Sequence, residues 1–312
     1  MIKKFHISDL RNTLAHILEH ERRLAHANEA TTQQYVVLPI LRALGWEDAN
    51  LASMEILPEY RVESRWADYA LKVGRGPALF IECKKWNEPL ERHENQIITY
   101  ASYSNAPIAV LTNGKNWRFY LLEKEGTPIS NRIFHDCDID SKNLNAAVYR
   151  LGKYLLRDNI LSGAATKDAE KVWQDKRGVE NLVPQHIRDY YETRYRSEKV
   201  REFYGYVAET QDLAKKAGWE LTLKFTQRYC GFWVERETDQ REIWVYGVHL
   251  DYNPLRFFVK ITQEESEKLR NQYGYGTVYY HTHVGQAFYT IPGNVDQLFS
   301  VLEFAYNKHR GI

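Results

Sequence analysis

The sequence predicts an α/β protein: a mixed sheet flanked by helices in the first half, followed by a second α+β domain with an antiparallel sheet. Three observations carry this reading. The first half runs helix, three strands, helix, two strands, helix. Asn113-Gly114 stands between two β-rich runs as a hairpin signal. From Leu221 onward, short alternating segments lie between helical ends.

Leu10, Leu14, Ile17, Leu18 and Leu24 recur at helical spacing, so Ser8 to Ala27 is read as an amphipathic helix. Asn28 is a good N-cap for a second helix with Glu29 in its first turn, a kink at Pro39 and a left-handed end at Gly45. A strand near Met54 to Tyr60 precedes a hairpin from Trp66 to Lys85. Glu88 to Tyr103 reads as a helix with Leu90, Ile97, Ile98 and Ala101 inward. The Asn113-Gly114 turn is expected to be type I′, with both residues at positive φ. A helix from Lys142 to Arg157 closes the first domain, 1–160.

Residues 161–184 are poor in apolar positions and are read as a linker to the second domain, 185–312. There Gln185 to Ala217 is helical, divided at Gly205. Strands follow at Leu221 to Phe225, Gly231 to Arg236, Ile243 to Leu250 and Arg256 to Ile261. Thr262-Gln-Glu-Glu265 is a capping box, a hairpin spans Thr277 to Ile291, and Asn294 opens the last helix.

Composition excludes several function classes. The 312 residues carry a net charge of +1, so any basic surface is local. Three cysteines, at 83, 137 and 230, lack C-x-x-C spacing, which argues against a zinc knuckle or disulfide framework and for a reducing, cytoplasmic setting. No apolar run approaches membrane-spanning length, and no phosphate loop G-x-x-x-x-G-K-[ST] is present, so neither a membrane nor ATP is expected as a partner.

The hairpin carries charge where apolar residues belong. If its strands fold back about Arg75, Asp68 and Glu82 face each other at ~5 Å between Cβ atoms, and alternation puts Lys84 on the same face. Like charges so placed destabilise a sheet unless a cation lies between them. Two carboxylates suit Mg²⁺, with Mn²⁺ as an alternative, and a neighbouring lysine suits phosphodiester hydrolysis by orienting water or offsetting phosphoryl charge. By spacing alone, D-x13-E-x-K also describes the solvent end of a strand.

Four phrases in order extend the pattern: Asn28-Glu29 through Gly45-Trp46, Trp66-Ala-Asp68, Phe80-Ile-Glu82-Cys83-Lys84-Lys85, and Ile108 through Asn113-Gly114 to Trp117. With them the first half resembles the PD-(D/E)xK nuclease domain at the N-terminus of type I restriction enzyme R subunits, also found in stand-alone predicted restriction endonucleases. The resemblance implies a restriction-endonuclease-like fold, with Asp68, Glu82 and Lys84 as catalytic residues and Asp68 and Glu82 as metal ligands. It matches Glu29 to an acidic residue of the first core helix that helps hold metal or tunes the site; dipole complementarity in a first helical turn is the other reading. Gln96 and Tyr100 match a Q-x3-Y motif whose polar pair meets DNA backbone or braces the site. Cys83, where small or apolar residues are usual, should point into the core, and Pro58-Glu59 is a second acidic candidate less well placed than Asp68.

The second half offers His281-Thr-His283, a strand pair of imidazoles without an identifiable third ligand, and an arginine and tyrosine stripe from Arg188 to Tyr204 that also reads as a solvated helix face. The expected function is a Mg²⁺-dependent DNA endonuclease of restriction or defence type, with a homodimer or defence-system subunits as partners. The alternative is a catalytically silent or partner-activated nucleic-acid-binding subunit.

Overall fold

The computed structural model describes residues 6–74, 76–103, 106–122, 126–141, 144–274, 277–291 and 293–311, with the side chains of residues 98, 101–103, 277 and 278 outside it. The chain divides into two compact units, Met1–Trp173 and Gln174–Ile312.

In the first unit, α1 (Ile7–Glu19) buries Leu10, Leu14 and Ile17, the apolar stripe of its sequence, and a short α2 (Glu21–Leu24) follows. Asn28 caps α3 (Glu29–Thr32) by accepting the N–H of Thr31 at 2.8 Å. The helix then widens into a π turn, Gln33–Val37, before α4 (Leu38–Ala43). Pro39 lacks an N–H and crowds the preceding turn, and the disturbance expected as a kink is taken up by this π turn. Gly45, at φ +88°, ends the run.

Six strands form a mixed sheet in chain order: β1 (Ile56–Val62), β2 (Arg65–Val73), β3 (Gly76–Cys83), β4 (Ile108–Thr112), β5 (Asn116–Leu121) and β6 (Ile133–Asp138). Only β3 and β4 pair in parallel, as α5 (Glu94–Tyr103) between them requires. On α5 Ile97 is buried, whereas the side chains of Ile98 and Ala101 lie outside the described residues. Alternation sends Leu79, Ile81 and Val110 into one core with α1, α4 and α6 (Leu144–Leu155), and Phe80, Ala109 and Leu111 into another with α5. Lys142, the expected start of α6, lies outside the described residues, and α7 (Arg157–Leu161) follows.

β6 was not expected. Its register against β5 shifts between Phe119 and Tyr120, and Ile-Phe-His-Asp-Cys-Asp mixes buried and polar positions too unevenly to read as a period-2 strand. The Asn113-Gly114 turn also differs from expectation. Gly114 sits at φ +82° but Asn113 does not share a positive φ; its Oδ1 instead accepts the N–H groups of Lys115 and Asn116 at 2.9 and 2.6 Å, an Asx turn wider than type I′. A Cβ on Gly114 would meet Thr32 Cγ2 at 2.8 Å and Trp86 Cε3 at 2.9 Å. Gly114→Ala is therefore expected to lower the urea midpoint by the equivalent of about 1–3 kcal/mol, read as a shifted transition of unchanged slope.

The stretch expected as a linker is helical: α8 spans Ala164–Leu182. Its inward residues include Ala165, Ala169, Trp173 and Val179, too few and too uneven in size to register as an apolar stripe, while its Ala, Glu, Lys and Gln content favours helix. The next helices, α9 (Gln185–Arg194) and α10 (Ser197–Ala217), part at Tyr195-Arg196 rather than at Gly205. Gly205 lies within α10, where a Cβ would meet Lys176 Cε at 2.9 Å, so close packing rather than a break explains the glycine.

The second sheet is antiparallel throughout: β7 (Thr222–Phe225), β8 (Tyr229–Glu235), β9 (Glu242–His249), β10 (Arg256–Val259), β11 (Thr277–His281) and β12 (Gln286–Thr290), in spatial order β11-β12-β10-β9-β8-β7. Thr262 and Glu265 form the capping box of α11 (Gln263–Tyr273), and a 3₁₀ turn capped by Asn294 leads into α12 (Phe299–Arg310). Phe232, Val248, Phe257 and Tyr289 share a core with Phe203, Val207 and Leu302 of the helices. Among the described residues no helix is long and apolar enough to cross a membrane.

Candidate functional site

β2 and β3 pair as Tyr69↔Ile81, Ala70↔Phe80 and Leu71↔Leu79; carried one residue further, this register sets Asp68 across from Glu82. A bulge then shifts the turn end to Lys72↔Pro77, so one fold-back point does not describe the whole hairpin, and Arg75 itself lies outside the described residues. Asp68 and Glu82 emerge on the face that packs α5, beside Ala70 and Phe80.

Both carboxylates are fixed by donors. Asp68 accepts the backbone N–H of Cys83 at 2.6 Å and the side-chain amide of Gln33 at 2.9 Å, one on each oxygen. Burial and the charge of Glu82 push the Asp68 carboxyl up to about 7, against the pull of the Cys83 N–H. Glu82, 5% exposed, accepts Lys84 Nζ at 2.8 Å on one oxygen and the Tyr100 hydroxyl on the other. Burial beside Glu82 pushes the Tyr100 phenol up and keeps it a donor.

Lys84 is buried too, with Glu29 Oε2 at 3.6 Å from its ammonium. Burial disfavours the charge, but the hydrogen bond the ammonium donates to Glu82 and the charges of Glu82, Glu29 and Asp68 outweigh it, so the ammonium lies above the usual lysine range. Lys84 in this state is a donor and a fixed positive charge, not a base.

The structure thus brings Asp68, Glu82, Lys84, Glu29 and Tyr100 together. Tyr100 is 1% exposed with its hydroxyl on Glu82, the bracing position rather than one that meets DNA backbone. Gln96, one turn earlier on α5, has no hydrogen bond to the carboxylates, and its buried Oε1 has no partner among the described residues. Cys83 lies in the core beneath β3, where burial pushes its thiol well up and leaves it inert. Glu59 is exposed on β1 at φ +46°.

Gln33 is the residue the sequence did not suggest. It sits four positions after Glu29 and reaches Asp68 from the first residue of the π turn. Behind the site, Arg118, almost fully buried, bonds Asp136 of β6 at 2.9 Å, Glu91 at 3.0 Å and Glu94 of α5 at 2.5 Å, which anchors the helix that carries Tyr100.

The donor set fits a hard divalent cation. Each oxygen of Asp68 and Glu82 takes one hydrogen bond among the described residues and keeps a further lone pair, and a buried Glu82 beside a half-buried Asp68 driven to about 7 forms a site short of positive charge. Glu29 does not complete a trio with them, because no such trio among the described residues brings one ligand atom each within 4.8 Å; its partner is Lys84. His16 and Glu19 of α1 and His20 just past its end do meet that distance, but they form a largely exposed imidazole-rich set unlike a Mg²⁺ site. His281 and His283 stand 6.1 Å apart with no third ligand among the described residues. In the arginine and tyrosine stripe, Tyr191 and Tyr204 are buried in the second core and Tyr195 bonds Asp251 at 2.6 Å, so these rings brace the fold.

Comparisons with protein-family models, with curated proteins and with solved structures give no match to this chain.

Proposed function

We propose that the chain is a Mg²⁺-dependent DNA endonuclease of restriction or defence type, its first unit a PD-(D/E)xK domain with a restriction-endonuclease-like fold. The observation that carries this reading is the convergence of Asp68 within β2, Glu82 near the end of β3 and Lys84 just past it, with Glu29 beside the lysine. A mixed six-stranded sheet with helices on both faces is consistent with the fold proposed.

Asp68 and Glu82 would hold the metal, which when bound supplies Lewis acidity toward a phosphoryl oxygen. The remaining work belongs to the chain. Lys84, kept protonated, donates to the attacking water or to a phosphate oxygen as negative charge grows there. Glu29 fixes the ammonium from the outer side, Tyr100 fixes Glu82, and Gln33 with the Cys83 N–H fixes Asp68, so both carboxylates are set before substrate arrives.

Plasmid DNA incubated with the purified chain and Mg²⁺ is expected to be cut, and EDTA is expected to stop the cutting. Cleavage that survived both Asp68→Ala and Lys84→Ala would overturn the assignment. Gln33→Ala leaves the ligands in place but frees Asp68 to turn, so the Mg²⁺ concentration for half-maximal cleavage is expected to rise roughly 10- to 100-fold.

One observation favours a second reading, a silent or partner-activated subunit. Lys84 already neutralises Glu82 at 2.8 Å, an arrangement stable without a cation. Under that reading the chain shows salt-sensitive DNA binding and no cleavage with any divalent ion until a partner subunit is added.

A further inference from the structure

An antiparallel sheet that packs helices on one face ordinarily presents polar residues on the other. The second sheet departs from this. Its register places Lys224, Gly231, Gly247, Phe258, Phe288 and Tyr279 in one row across the six strands, on the face turned away from Phe232, Val248 and Phe257. The two glycines admit rings rather than leaving a trough: a Cβ on Gly231 would meet Trp244 Cδ1 at 2.9 Å, and one on Gly247 would meet Phe258 Cε1 at 2.7 Å. Trp244 stacks on Phe258 at 4.8 Å, Phe258 on Phe288 at 5.8 Å, and Phe288 on Tyr279 at 4.5 Å. Phe258 and Phe288 are buried among these rings, and the indole N–H groups of Trp233 and Trp244 are buried without an acceptor among the described residues, whereas the Trp233, Trp244, Tyr252 and Tyr279 side chains remain part-exposed.

Two cations lie on these rings. Lys224 Nζ is 4.4 Å from the Trp233 ring centre and pairs with Glu242 at 2.5 Å. The Arg256 guanidinium is 4.6 Å from the Tyr252 ring and 5.7 Å from the Tyr279 ring. It has no carboxylate in ion-pair reach among the described residues, and its Nε has no acceptor. A half-buried guanidinium that rests on aromatic faces without an anion is a site prepared for one.

We propose that this open face binds single-stranded nucleic acid, with bases on the part-exposed rings around Trp233, Trp244 and Tyr252 and a phosphate on Arg256. Every base has a π face, so the platform needs no particular sequence, whereas a duplex keeps its faces stacked inside. A second copy of this chain is a poorer occupant, because a two-fold contact would bury two unpaired Arg256 charges. The inference does not rest on the acidic site of the first unit, and it is tested without metal.

The test is anisotropy of a labelled oligothymidylate of about 20 nucleotides, titrated with the full chain in EDTA at two salt concentrations. The wild type is expected to bind, and to bind the matching duplex more weakly. Trp233→Ala is expected to weaken binding at least about fivefold. Arg256→Gln should weaken it and lower the salt slope by about one contact, while Lys268→Gln on α11 leaves it unchanged. If Trp233→Ala fails to melt cooperatively, Tyr252→Ala and Arg256→Gln decide. Folded variants that bind like the wild type, a wild type that prefers duplex or binds neither, or variants that only dissolve a dimer would each overturn the proposal.

Discussion

Asp68→Asn is expected to abolish cleavage and, in metal-free protein at pH 8, to make the chain more stable than the wild type by on the order of a few kcal/mol. The sign follows from the two states. Unfolded, an aspartate titrates near 3.8; folded, burial and Glu82 push Asp68 up to about 7. Between these values the folded state binds the extra proton, so the group's contribution is fully present below about pH 4 and is lost as pH rises through about 7. An amide carries no such loss. Asparagine also preserves the hydrogen bonds: its oxygen accepts the Cys83 N–H, and its NH₂ donates to Gln33 once that amide turns over. The gap between variant and wild type should therefore shrink from pH 8 to pH 5. Mg²⁺ at pH 8 should raise the wild type and leave the variant where it was, since only the wild type offers both carboxylates. Urea unfolding at both pH values, in EDTA and in Mg²⁺, measures all four quantities. A variant less stable than the wild type at pH 8, or a gap that does not change with pH, would remove the physical basis of the site.

The register that ends at Tyr69↔Ile81, one step short of Asp68 and Glu82, was legible because strand alternation has a strict period, and the residues opposite one another follow from a fold-back point that the turn composition marks. The bulge between Leu71 and Lys72 was not legible, and it leaves the site end of the hairpin untouched. Gln33 was hidden for a different reason. Its partner lies 35 residues away, and its approach depends on a π turn that no local propensity announces. The helix α8 was missed because few of its 19 residues are apolar and two of those facing inward are alanines, and β6 because a register shift and interleaved His, Asp and Cys blur its alternation. In the second sheet the strands could be read, but the side each ring takes could not. Phe257 and Phe258 are neighbours in sequence and face opposite ways, one into the helical core and one into the aromatic row on the other face of the sheet.

Lys84→Met is expected to lower single-turnover cleavage by roughly 10²- to 10³-fold, the loss typical of one preorganised donor to a developing oxyanion. It should also destabilise the fold, in contrast with the Asp68 variant. Lys84 and Glu82 are both buried, so removal of the ammonium leaves a carboxylate with Tyr100 as its one donor among the described residues; breaking such a pair costs about 3–5 kcal/mol at most. Adding Glu82→Gln to Lys84→Met should recover part of that stability and none of the activity, because the amide no longer needs a cation. Lys84→Arg should keep much of the stability while restoring little cleavage, since a planar guanidinium does not aim its donors as an ammonium does. If cleavage in Lys84→Met fell only in proportion to the folded fraction, Lys84 would be a structural counter-ion and nothing more. The opposite stability signs expected at Asp68 and Lys84, with activity lost at both, are what distinguish a metal site held open by a lysine from an ordinary buried ion pair. In an ordinary pair, removing either charge strands the other. Here one acid more than the lysine can neutralise has been drawn largely out of water, and the fold is expected to be more stable without it.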